Sequence, residues 1–162
     1  HDDTKLFEFL VLDAMQAGLS WRTVLHKRED FRRAFRGFDP EKVAKFGRRD
    51  VERLIKDKGI IRNRLKIESS ITNARALLEV RKEFGSFDSY IWSFTGGKTV
   101  DNRLEALDDM QVDSAESRAM SKDMKKRGFK FCGPTICYAF MQAAGMVNDH
   151  LVSCFRYREV GR

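Results

Sequence analysis

With 162 residues, 42% of them hydrophobic and 13 of them phenylalanine, the chain can bury the core of one domain or two joined lobes, which sets aside a disordered tail. There are 31 basic residues against 24 acidic ones, and the formal charge of +7 favours an anionic partner such as nucleic acid, although charge alone fits many other basic proteins. Cys132, Cys137 and Cys154 are odd in number and form no CxxC pair, which argues against a secreted disulfide framework and for a reducing compartment.

No apolar run approaches the ~20 residues needed to cross a bilayer, and no signal peptide is visible. The chain begins at His1 rather than Met, so an N-terminal segment is expected to be missing, along with any residues it would supply. Pro40 and Pro134 are the only prolines, and the long stretches between them carry helical periodicity. The first helix is predicted from about Asp3 to Ala17, with Leu6, Phe9, Leu10, Asp13 and Ala17 on one face and Gly18 ending it. Ser20 can cap a second helix that carries Val24, Phe31 and Phe35.

Asp39-Pro40-Glu41 reads as a helix start, Asp as cap and Pro at the first helical position. A short helix follows around Asp50 to Asp57, then a turn at Lys58-Gly59-Ile60-Ile61. A long helix spans about Asn63 to Glu83, with Leu65, Ile71, Leu77 and Leu78 as apolar positions. Phe87, Tyr90, Ile91, Trp92 and Phe94 form an aromatic cluster, broken by Thr95-Gly96-Gly97-Lys98. Residues 98 to 113 read as loop. A helix then runs from a cap at Ser114 to about Lys126, and a buried one from Thr135 to Gly145.

The connection between those last two helices is the sharpest local signal. In Lys125-Lys126-Arg127-Gly128-Phe129-Lys130-Phe131-Cys132-Gly133-Pro134-Thr135, two glycines permit left-handed backbone, and Phe129 and Phe131 can anchor the turn. Pro134 presets the next helix, whose free amides and positive dipole end suit a phosphate. Lys130 and the three basic residues before Gly128 add sequence-independent attraction to DNA. An ordinary helix connection with a solvated basic flank fits the same letters. The pattern is not a nucleotide P-loop, since Pro-Thr stands where Lys-Ser/Thr would be required.

Asp13 is anomalous, because a carboxylate on an apolar helix face is costly unless it is used or paired. Trp21 follows just past the turn Gln16-Ala17-Gly18-Leu19-Ser20, and a carboxylate with an indole face could grip a cationic aromatic ring. Equally, Asp13 could pair with an arginine and Trp21 could be core. Leu19 at the turn's tip could wedge into a base stack, or merely pack back on its helix. His150 and Cys154 stand at i, i+4, a spacing that suits two ligands of tetrahedral zinc if the segment is helical.

Taken together these stretches resemble the DNA-3-methyladenine glycosylase I family. The matching residues are Leu6-Phe7-Glu8, Gln16 to Leu25, Lys27-Arg28-Glu29, Phe38 to Val43, Gly59-Ile60-Ile61-Arg62, Lys66-Ile67, Lys126 to Phe131, Gly133, Ile136-Cys137-Tyr138, and Asn148-Asp149-His150 with Cys154. The resemblance implies an all-α helix-hairpin-helix glycosylase fold of two helical lobes with a DNA-binding cleft, as a single domain over residues 1–162. It implies base-excision repair by a monofunctional glycosylase. Such an enzyme hydrolyses the N-glycosidic bond of N3-methyladenine after base flipping.

On this resemblance Asp13, where the family often has Glu, and Trp21 bind the base, with Asp13 giving electrostatic help. Gly18, Leu19, Gly128, Lys130, Gly133 and Thr135 contact DNA. Asp149 is a weak second candidate, because it stands roughly where other helix-hairpin-helix glycosylases carry a catalytic aspartate. Members hold a structural Zn2+ with an N-terminal Cys and His and a C-terminal His and Cys. His150 and Cys154 match the C-terminal half; the other half falls before His1, so zinc is weakly founded in this chain. The expected partner is double-stranded alkylated DNA and no membrane, for a cytoplasmic, bacterial-type monomer.

Overall fold

The computed structural model describes residues 1–160. Helix α1 (Asp3–Gln16) begins where the Asp2 carboxylate accepts from the Lys5 amide. The sequence suggests a one-sided helix, but positions 6–8 and 10–15 are all buried. A helix buried all round occupies the middle of a domain. Asp3 at its start accepts from the amides of Phe87 and Asp88, and so caps another helix 84 residues away in sequence.

The helix predicted after Ser20 is two. Helix α2 (Trp21–His26) ends at Lys27, whose backbone leaves helical geometry (φ −99°, ψ 3°), and α3 (Arg28–Ala34) starts anew. The break lets Val24 and Phe31 both reach the core, with Phe35 just past the end of α3. Glu8 of α1 fastens α3: its buried carboxylate accepts from Arg28 Nε at 2.6 Å and from Arg32 Nε at 2.9 Å. Helix α4 (Pro40–Ala44) has the expected Asp39 cap and Pro at its start, and α5 (Arg48–Lys56) follows.

Helix α6 (Arg64–Phe84) is the longest of the described helices and is capped by Asn63, near the expected start. Leu65, one of its apolar positions, is exposed, and Ile67 is buried. Helix α7 (Phe87–Trp92) holds the aromatic cluster, where Phe87 stacks on Phe129 with ring centres 6.0 Å apart. The predicted loop at 98–113 hides a small strand. Strand β1 (Val100–Asp101) pairs in parallel with β2 (Val147–Asn148), Val100 opposite Val147. Two residues are too few for an alternating pattern to show in sequence. Between these strands lie α8 (Ala115–Lys126), capped by Ser114, and α9 (Pro134–Ala143).

Helices α2 to α5 form one group and α7 to α9 another, with α1 and α6 touching members of both. One continuous core runs through the two groups, from Phe31, Phe35 and Phe38 to Phe87, Phe129 and Phe140. The all-α expectation of two joined helical lobes therefore holds, with α1 and α6 as their common spine. No helix among the described residues is long and apolar enough to cross a membrane.

Candidate functional site

Asp13 lies near the C-terminal end of α1 and is 2% exposed. Neither carboxylate oxygen has a hydrogen-bond partner. The alternative in which an arginine neutralises it is thus ruled out. Burial pushes its pKa up to about 8, because a charged carboxylate in a dry site lacks the hydration it had in water. An unpaired buried carboxyl is a strong destabiliser, and functional sites are where such groups persist. Cys137 of α9 is pushed up mainly by burial, and Asp13 adds to that electrostatically.

Three residues on, α1 gives way to a turn. Gly18 takes a positive φ of 80°, which suits glycine, and Gln16 Nε2 donates to Leu19 O at 2.7 Å. Ser20 caps α2 by accepting from the Thr23 amide. The turn presents its apolar groups outward: Leu19 is 39% and Trp21 40% exposed. Trp21 is therefore not core. Exposed apolar side chains at the tip of a braced turn suit stacking or wedging.

Sequence reasoning missed the brace beneath this turn. Lys66 of α6 is buried, and its ammonium donates to Met15 O at 3.0 Å and Ala17 O at 2.6 Å. It supplies charge to carbonyls that the helix end leaves unpaired. Burial lowers the Lys66 pKa. The signal was present in the sequence, since Lys66 recurs with Ser69, Ser70 and Asn73 at i, i+3, i+4 and i+7, an interior face that is polar throughout.

The hairpin between α8 and α9 differs in detail from the sequence expectation. Gly128 is left-handed (φ 91°), but Gly133 is extended (φ −64°, ψ 162°) and serves as the cap residue of α9. The second left-handed residue is Phe131 (φ 51°), which is 37% exposed, whereas Phe129 is buried. Gly133 has no side chain to cap the helix, so the first amides of α9 are left for another acceptor, and Thr135 there is exposed. Arg127 is not free for phosphate. It pairs with Glu83 at 2.6 Å and Asp123 at 2.6 Å and lies over the Phe84 and Tyr90 rings. Lys125, Lys126 and Lys130 remain exposed.

The tip is held by a residue absent from the motif. Asn73 of α6, buried, accepts from the Lys130 amide at 2.7 Å and donates to Lys130 O at 3.0 Å. Ser121 Oγ donates to Cys132 O at 2.6 Å. The backbone of the loop is thus fixed from inside while the Lys130 side chain faces solvent.

Near the C-terminus, Asp149 accepts from Asn102 Nδ2 at 2.7 Å and Gln142 Nε2 at 2.6 Å. It does not orient His150, whose amide is taken by Asn148 Oδ1 at 3.3 Å. The His150 segment is turn, not helix. Its side chain still meets that of Cys154, Sγ to Nδ1 3.7 Å. Neighbouring ligands on a tetrahedral zinc would be roughly 3.6 Å apart from standard bond lengths. The pair therefore fits half a site, but two more donors are needed for a closed one. No group of three or more His, Cys, Asp and Glu among the described residues is placed to hold a metal.

The family model for methyladenine glycosylase matches residues 1–157. The chain belongs to the methyladenine glycosylase family. Among relatives, it is 50% identical over 156 residues to a DNA-3-methyladenine glycosylase 1 of Escherichia coli, covering 96% of this chain and 83% of that protein. A DNA-3-methyladenine glycosylase of Haemophilus influenzae is 46% identical over 153 residues, covering 94% and 83%. The fold matches a crystal structure of a 3-methyladenine DNA glycosylase I with a TM-score of 0.92 at 49% identity, over 95% of this chain and 85% of that one. It also matches the Staphylococcus aureus 3-methyladenine DNA glycosylase I, studied for 3-methyladenine recognition, with a TM-score of 0.93 at 38% identity, over 95% and 82%. Within this methyladenine glycosylase fold, Asp13 stands out among the described residues as a buried carboxyl without a hydrogen-bond partner.

Proposed function

We infer that this chain is a DNA repair glycosylase that hydrolyses the N-glycosidic bond of 3-methyladenine in alkylated DNA. Membership of the methyladenine glycosylase family and the names of its close relatives carry the reaction. The observation that carries the site is the unpartnered Asp13 carboxyl, buried a few residues before a turn that exposes Leu19 and Trp21.

The chemistry asks little of the protein. N3-methylation makes adenine cationic while it is still bound to its sugar, so the base is already a good leaving group. The lesion must first leave the stack, which costs a few kcal/mol. Leu19 fills the space left behind, and the extruded ring stacks on Trp21. Asp13 then discriminates, because a cation stabilises its carboxylate in the dry site and neutral adenine does not. Water gives its oxygen to the anomeric carbon. The bond's electron pair leaves with the base, now neutral, and a proton goes to solvent. No lysine adduct forms, so the strand is not cut. Asp149, with both oxygens engaged by Asn102 and Gln142, holds the C-terminal turns in place and takes no part in the chemistry.

The substrate is duplex DNA, and one chain carries both turns that grip it, so the enzyme works as a monomer. Amides at Gly133 to Thr135 and the Lys130 side chain take the phosphate backbone. Three free cysteines fit a cytoplasmic setting. Zinc at His150 and Cys154 would brace the C-terminal turns, with two donors beyond this pair, and is outside the reaction.

The deciding experiment is release of methylated bases from methylated duplex DNA. The expected product is free 3-methyladenine with intact strands. Salt-dependent DNA binding without any release would leave a non-catalytic binding module of the same fold.

A further inference from the structure

The buried polar face of α6 meets both DNA-facing turns. Lys66 ties down the turn that carries Leu19 by holding Met15 O and Ala17 O. Asn73 ties down the hairpin by holding both backbone groups of Lys130. The two residues are seven apart, hence on one face of the helix, and about 10 Å apart along its axis. Between them Ser69 and Ser70 both donate to Lys66 O, at 2.8 Å each, so no polar side chain in the row is left without a partner.

Burial of this row is costly unless it is used. Lys66 and Asn73 are 7% and 1% exposed, where apolar residues would pack at less expense. Each spends its hydrogen bonds on backbone of a different turn, and neither turn touches the other through these bonds. A helix is stiff over two turns, while surface loops are not. The separation of the two turns is therefore set by the helix that both are bolted to.

We propose that Lys66 and Asn73 are positioning residues that make α6 a spacer, holding the Leu19 turn and the Lys130 hairpin at one separation so that both engage the same duplex together. This rests on the DNA-contact reading of those two turns. The gain is that of two linked contacts: once one is made, the second finds its partner at high effective concentration.

The test is binding of a duplex that carries a stable abasic-site analogue, together with KM and kcat on methylated DNA, each measured well below the variant's own melting temperature. Asn73→Ala is expected to weaken duplex binding and raise KM by roughly tenfold, from the loss of two hydrogen bonds. Its kcat and its affinity for free 3-methyladenine should stay within about twofold. Lys66→Met should weaken duplex binding similarly, and Lys66→Arg should restore part of it; Asn73→Asp, which keeps only the acceptor for the Lys130 amide, should fall between wild type and Asn73→Ala and serves if the alanine variant does not fold.

The double variant decides the matter. If α6 is a spacer, loosening the second turn adds little once the first is loose, and the double is no weaker than the worse single. Fully additive losses would mean two unrelated local braces and overturn the proposal, as would unchanged duplex binding in Asn73→Ala. Lys130→Glu and Leu19→Ala are run beside them. Should both leave duplex affinity intact, the DNA-contact reading itself falls, and the spacer with it.

Discussion

The end of α1 and the hairpin between α8 and α9 handle polar groups in opposite ways. At the end of α1 a carboxyl is buried with nothing to satisfy it, while hydrophobic side chains nearby are left in solvent. In the hairpin the loop backbone is tied by buried Asn73 and Ser121, and the charges stay outside. The first arrangement sacrifices stability for a vacant acceptor, the mark of a site that waits for a particular ligand. The second is a satisfied scaffold with a generic positive surface. Under the proposed function, lesion identity is read at the first and DNA as such at the second.

The largest effects should come from Asp13. If Asp13 distinguishes the cationic base as proposed, Asp13→Asn should lower kcat/KM for release of 3-methyladenine by on the order of a hundredfold. The same change should raise stability, since a neutral amide has no charge to desolvate. The sign follows from linkage. Asp13 has a folded pKa near 8 against the ordinary aspartate value of 3.8, so the native state holds a proton that the unfolded chain has lost between those values. Its contribution to stability is intact below about pH 4 and declines as pH rises to 8. Near pH 8 Asp13→Asn should therefore be the more stable by on the order of 5 kcal/mol at most, less whatever its own unpaired buried amide costs, read from urea melts, with the gap closing towards pH 4. A variant that loses activity and stability together would place Asp13 in the scaffold.

The same ionisation should appear in the kinetics. If the carboxylate is the form that captures the cation, kcat/KM for 3-methyladenine release should rise with pH and level off above about 8, because this ratio reports the free enzyme. Asp13→Asn should lack that step. A profile that falls through the same range would make the neutral carboxyl the active form, acting as a hydrogen-bond donor to the base.

How much of this the sequence carried differs between the two regions. Asp13 was conspicuous because its position in the periodic pattern of α1 demands an apolar residue, and the structure deepened the anomaly by burying it without a partner. The turn after it was readable from Gly18 and Ser20, whose local roles do not depend on the rest of the fold. In the hairpin the letters misled. Gly133 is extended and Phe131 takes the left-handed turn, and Asn73 grips Lys130 between them and Gly128 from 57 residues away, a contact that the local letters do not reveal. Arg127 looked like a phosphate ligand until Glu83 and Asp123 came to it through the fold. The split between α2 and α3 and the two-residue strands β1 and β2 were likewise set by packing partners remote in sequence. Local chemistry is written locally, and clamps across the fold are not.

A smaller effect is expected on the hairpin side. Lys130→Glu should weaken binding to every duplex alike, damaged or not, by roughly tenfold at low salt, and reduce the slope of log affinity against log salt by about one. Loss confined to alkylated DNA would move Lys130 to the base site and erase the division of labour. The side chain is exposed, so the melting temperature should hardly change.

The smallest effect separates the shape of the hairpin from its charge. Gly128 has φ 91°, and a Cβ built there meets nothing within 4 Å. Gly128→Ala therefore adds no clash and costs only the backbone strain of a left-handed L-residue, about 1 kcal/mol. Asn73 still holds the Lys130 backbone on the far side of the strained residue. The turn should then keep its form, and duplex affinity should drop no more than about twofold while stability falls by that small amount. A large loss of DNA binding at nearly full stability would mean that Asn73 does not fix the loop on its own and that the backbone at Gly128 shares in setting where Lys130 meets the phosphate.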